Sequence, residues 1–166
     1  LTDGSIELWL TNDTQRELND TVVIQYGSFD KGVRWEKTLH VHIPANGSQP
    51  VWQSDIVRGA DAARHYLLVR SLQEQFPANR HFFTAIKDLE RSPTSLEMSV
   101  TSQGEHEMQV RLYVSSYAFF VHLSISDEQT HFSDNYFDMS AGEERTIVIS
   151  NPARTITPDM LSVAWR

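Results

Sequence analysis

The chain has 166 residues, 40% of them hydrophobic, with no cysteine and a formal net charge of −8 from 14 Lys+Arg against 22 Asp+Glu. That apolar fraction suffices for a packed core, the missing cysteines exclude disulfides and thiolate metal sites, and an acidic chain without a basic stripe is not built to neutralise nucleic-acid phosphates. No apolar run reaches membrane-spanning length, the longest, "YAFFVHLSI", being interrupted by His122. Neither nucleic acid nor membrane is therefore expected as a partner. The sequence opens at Leu1 without an initiator Met, and a strand pattern is already running at Ile6, so a piece of a larger protein is expected.

Taken in chain order, the period is two almost everywhere. "SIELWLTN" puts Ile6, Leu8 and Leu10 on one side, "TVVIQYGS" is a β-branched run, and "VRWEKTLHVHI" aligns Val33, Trp35, Leu39, Val41 and Ile43 on one face. "PVWQSDIV", "RHYLLVRSL" and "NRHFFTAI" follow. The gaps "NDTQRELND", "PANGSQ" and "RGADAA" are turn chemistry, the last with room for one helical turn. Lys87–Ser95, "KDLERSPTS", is charged, carries Pro93 and lacks an apolar period, so it reads as a linker. The strand rhythm then restarts in "SLEMSVTS", "EMQVRLYVSS", "AFFVHLSIS", "HFSDNYFDM", "ERTIVIS" and "DMLSVAWR". The predicted fold is all-β, two tandem immunoglobulin-like antiparallel β-sandwich domains over residues 1–88 and 94–166.

Several motifs invite chemical readings that their context opposes. "SFDK" at Ser28–Lys31 and the Ser133-Asp134-Asn135 triplet are two of the three elements of serine β-lactamases. That chemistry needs Ser and Lys one helical turn apart, whereas "SFDK" lies between Gly27 and Gly32 as a hairpin loop. His40 and His42 share a strand face at metal-ligand spacing, but opposite the apolar face, where water meets them, and no carboxylate stands at fixed spacing. His106 in "GEHE" reads as a solvated hairpin tip. No catalytic, cofactor-binding or metal-binding residue is predicted. "NDT" at Asn12 and Asn19 and "NGS" at Asn46 are glycosylation sequons. Trp9 breaks its strand's apolar alternation and is expected to face outward, toward a sugar or a neighbouring domain. Trp35, Trp52 and Trp165 fall on apolar faces and read as core.

The second half resembles the C-terminal immunoglobulin-like domain of family 2 glycoside hydrolases of the β-mannosidase type. The resemblance is carried by Phe82, Phe83, Lys87, Asp88 and Leu89, and then by Phe132, Ser133, Asp134, Asn135, Phe137, Asp138, Gly142 and Glu143. It runs from about Asn79 to Ser150; for residues 1–78 it is positional. "MSAGEE" departs from the Leu-x-Pro-Gly-Glu more common in that family. The resemblance implies a parent that is a retaining exo-glycosidase acting on terminal β-linked sugars, with two glutamates, one of them following an Asn, on a (β/α)8 barrel. This chain has no Asn-Glu dipeptide. An accessory fragment without cofactor is therefore implied, its partner the catalytic barrel of the same parent chain. The parent would be periplasmic or extracellular if bacterial. The alternative is a carbohydrate-binding module that holds a glycan on outward aromatics such as Trp9. Within the motif, Asp and Asn bond neighbouring backbone and tolerate positive φ, so Asp134-Asn135 is expected to build a structural bend, with Phe132 and Phe137 plugging into the sandwich on either side.

Overall fold

The computed structural model describes residues 5–55 and 61–166. The "IV" end of the fourth predicted strand and the first three residues of "RGADAA" lie outside the described residues. The chain divides into two units. One holds the described residues up to Ser28 together with Val33–Glu90, and the other holds Phe29–Gly32 with Arg91–Arg166.

In the first unit β1 (Ile6–Asn12) pairs with β4 (Gly47–Ser54). A second sheet, in the order β3-β2-β5-β6, contains β2 (Leu18–Ser28), β3 (Gly32–Ile43), β5 (His65–Ser71) and β6 (Asn79–Phe82). Alternation explains which side chains meet. Ile6, Leu8 and Leu10 of β1, Trp35 and Leu39 of β3, and Val51 of β4 pack onto a core of Val22, Ile24, Tyr26, Val41, Trp52 and Leu67. Trp35 and Trp52 lie 5.8 Å apart in that core. Val33 departs from the expected face and is exposed, being the first residue after the Gly32 turn.

The second unit contains β7 (Leu96–Ser102), β8 (Glu107–Val114), β9 (Ala118–Ser124), β10 (His131–Phe132), β11 (Phe137–Met139), β12 (Glu144–Ser150) and β13 (Ser162–Ala164). They form two sheets, β10-β12-β8-β7 and β11-β9-β13. The inward residues of β8, Met108, Val110, Leu112 and Val114, are fully buried against Val121, Leu123, Met139, Ile147 and Ile149. Trp165 is not core: it lies one residue beyond the end of β13, past the reach of the alternation, and is exposed. The turn residues Phe29–Gly32 complete an aromatic cluster in this unit. Phe29 is buried edge-on against Tyr117 and Phe119, each 5.1 Å away, and its carbonyl accepts the Tyr117 N–H at 2.8 Å.

The segment read as a linker is held at several points. Within the first unit Leu89 is buried and Glu90 takes the Arg64 guanidinium, while its N–H donates to Ala63 O. Within the second, the Arg91 guanidinium lies 5.2 Å over the Phe119 ring, and Thr94 Oγ1 donates to Ser116 O at 2.8 Å. One leucine without a period gives no sequence signal of such anchoring.

Loops are organised by buried asparagines. Asn12 Nδ2 donates to Arg16 O and Pro44 O while Oδ1 accepts from Thr14, so this sequon's amide is committed inside the fold. Asn151 Nδ2 donates to Asp127 and Thr130, and its Oδ1 accepts from Ala153 N and Arg154 N. The Gln129 N–H, and then Arg154, hold the Asp127 carboxyl below its ordinary range. His106 is exposed, yet its Nδ1 lies 3.1 and 2.9 Å from the carbonyls of Asn151 and Arg154, so that nitrogen carries the proton.

Candidate functional site

Four places hold the residues that the sequence singles out. "SFDK" forms the β2–β3 hairpin turn, with Gly32 at φ 70, and has no helix on which Ser28 and Lys31 would meet. His40 and His42 both face outward on β3 and bond to neighbours, His40 Nδ1 to Thr21 Oγ1 at 3.0 Å and His42 Nδ1 to Asn19 Oδ1 at 2.9 Å. Trp9 is 53% exposed, and its Nε1 donates to Glu7 Oε2 at 3.0 Å, which fixes the ring on the surface. It flanks a cleft of about 1190 Å³ within the first unit, floored by Leu8, Ile24, Trp52 and Leu67, with Arg80 and His81 along the other side.

The fourth place is the loop between β10 and β11. Its polar side chains replace the backbone pairing that the chain gives up there. Ser133 Oγ accepts the Val148 N–H at 2.9 Å, and Ser133 N donates to Val148 O. Asn135 turns its carboxamide toward β9. Oδ1 accepts the Leu123 N–H at 2.9 Å and Nδ2 donates to Leu123 O at 2.9 Å, so one side chain takes both positions of a missing ladder residue. Asp134 Oδ1 accepts the Asn135 N–H, and its Oδ2 takes Arg145 at 3.1 Å. The Arg145 guanidinium also bonds Glu143 and lies 4.3 Å from the centre of the Phe137 ring. Asp138 is divided the same way, Oδ1 accepting the Phe120 N–H at 2.8 Å and Oδ2 the Tyr117 hydroxyl at 3.1 Å. The carboxylates of the motif are thus engaged by donors. Phe137 enters the core, and Phe132 packs partly against it.

The left-handed residue is not where the sequence points. Asn135 has no positive φ; Tyr136 does, at 61°, and Phe120 on β9 does too, at 54°. Bulky side chains rarely adopt this conformation, at a cost of about 1–3 kcal/mol each. Each is held by the motif: Asn135 Oδ1 accepts the Tyr136 N–H at 3.0 Å, and Asp138 the Phe120 N–H. The signal was missed because "AFF" reads as an ordinary buried strand, and no propensity announces a left-handed Phe.

The geometry gives Asn135 a measurable role. Asn135→Ala removes both partners of Leu123 at a half-buried position and should cost about 1–2 kcal/mol. Because φ is not positive at 135, Asn135→Gly gains nothing sterically and loses further backbone entropy. Melting temperatures should fall in the order wild type, Ala, Gly; a Gly variant more stable than Ala would contradict this geometry.

Comparison with known proteins matches the profile of the Mannosidase Ig/CBM-like domain to residues 4–88 and an Ig-fold domain profile of mannosidases to residues 92–162. No curated protein sequence matches significantly. Among solved structures, the chain is similar to the β-D-mannosidase of Dictyoglomus thermophilum, with a TM-score of 0.77 and 19% identity over 98% of this chain and 20% of that one. It is also similar to the exo-chitosanase of Amycolatopsis orientalis, with a TM-score of 0.57 and 11% identity over 98% of this chain and 24% of that one. The chain thus spans between a fifth and a quarter of the length of these glycoside hydrolases, and at such identities the likeness is one of fold. With the first profile covering half of its length and the second following in tandem, the chain belongs to the mannosidase Ig-like domain family.

Proposed function

We propose that this chain is the non-catalytic accessory β-sandwich region of a β-mannosidase-like exo-glycosidase that hydrolyses terminal β-linked sugars. The observation that carries the reading is the tandem of profiles over residues 4–88 and 92–162, in a chain that spans only a fifth to a quarter of its structural relatives. The chemistry in this reading belongs to a (β/α)8 barrel elsewhere in the parent, and the two units are its partners. Retaining hydrolysis needs one carboxyl free to donate a proton and another free to attack. Asp134, Asp138 and Glu143, the acids that the family motif gathers, instead support backbone and Arg145. The motif from Phe132 to Asp138 acts as a structural bend. Purified chain should leave 4-nitrophenyl β-mannoside and β-glucosaminide intact. Saturable turnover that disappears with a single Glu→Gln substitution would overturn the reading. A second reading, glycan binding by the first unit, is favoured by one observation, the exposed Trp9 ring on the flank of a large cleft.

A further inference from the structure

We propose that the outer face of the β11-β9-β13 sheet is a saccharide-binding platform built on Phe120, His122 and Tyr136. It stands whether or not the parent is a glycosidase. The first support is conformational. Two bulky aromatics, Phe120 on β9 and Tyr136 in the loop just before β11, adopt positive φ, yet neither recovers that cost by burial, since Phe120 is 46% exposed and Tyr136 78% exposed. Their backbone N–H groups are both caught by side chains of one motif, Asp138 and Asn135, so the outward rings are fixed features of the fold.

The second support is the arrangement of the rings. Phe120 and His122, two apart on β9, share a face. Tyr136 stacks on His122 with centroids 5.6 Å apart and planes 6° from parallel, leaving the rest of the Tyr136 ring open. On the other flank β13 places Ala164 opposite His122 and Ser162 opposite Ser124. Ala164 leaves a shallow trough beside Phe120 and His122, a cavity of about 510 Å³ that Trp165 and Arg166 also line.

Rigid flat rings beside a trough with imidazole and guanidinium donors match the amphipathic shape of a pyranose. Its C–H face stacks on a ring while its hydroxyls meet the donors or water. The rings are bordered by Ser124 and Ser162 and by the Arg166 and His122 polar groups, unlike the charge-depleted apolar centre of a protein interface. A neutral or cationic ligand also suits a chain of net charge −8, which repels anions.

Titration of the 166-residue chain with β-1,4-mannotriose and with the β-1,4-glucosamine trimer, followed by NMR, tests this. At least one should give saturable shifts at Phe120, His122 and Tyr136, with a Kd of about 1 mM. Tyr136→Gly is the decisive variant: it deletes the ring while supplying the residue best suited to positive φ, so the fold is retained and affinity should fall at least tenfold. Trp9→Ala should leave the affinity unchanged. Three results would overturn the proposal: no saturable shift with either sugar, binding that survives Tyr136→Gly, or binding lost in Trp9→Ala alone. Self-association of the chain that Tyr136→Gly abolishes, without sugar binding, would make the face a protein contact and equally overturn it.

Discussion

Phe29→Ala should destabilise the second unit by about 3–5 kcal/mol, the cost of emptying a buried phenyl site. Phe29 is 1% exposed and closes a three-ring cluster in which Tyr117 and Phe119 are themselves 4.5 Å apart. Removing it leaves two rings facing a void that neither can fill, because the Tyr117 hydroxyl is fixed on Asp138 and Phe119 lies under Arg91. Phe29→Leu keeps most of the volume and should cost roughly half as much. Hydrogen exchange separates the outcomes: amides of β8, β9 and β12 should lose protection together. Unchanged exchange there, with loss confined to β2 and β3, would mean that the ring serves only its own hairpin.

Gly27→Ala, two residues earlier, should cost about 2–3 kcal/mol for the opposite reason, overpacking. Gly27 stands opposite Tyr66 in the β2–β5 ladder, and the Tyr66 ring covers it. A Cβ at Gly27 would sit 2.6 Å from both Cζ and Oη of Tyr66 and 2.9 Å from Cε1. Tyr66 is fully buried, so its ring has nowhere to retreat. In a Tyr66→Leu background the same substitution should cost much less, and this non-additivity is the check. Equal costs in both backgrounds would place the clash elsewhere.

The strands were legible because alternation is local: Ile6, Leu8 and Leu10, or Met108, Val110, Leu112 and Val114, announce their faces without knowledge of what covers them. The outward Trp9 was legible for the same reason. Two kinds of feature were not. Alternation fails at element ends, where Val33 and Trp165 were assigned inward and lie exposed. Tertiary capture leaves no local trace: Leu89 is buried without an apolar period around it, and Arg91 and the Phe120 N–H find their partners far along the chain. The bend was placed one residue early because Asn is the residue expected at positive φ. Here its side chain is occupied with Leu123 and the left-handed turn falls to Tyr136.

The membership of Phe29 in the second unit also sets a schedule. The contacts of Phe29 with Tyr117 and Phe119 close a loop of about ninety residues, an entropic charge that short-range strand pairing avoids. During synthesis Phe29 emerges well before β8 and β9. Early pairing of β2 with β5 shortens the effective loop before the aromatic cluster assembles. The strands of the second unit are therefore expected to gain their last protection only after the first unit has folded. Nascent chains released before Phe119 should leave a phenyl ring in water, where chaperones bind.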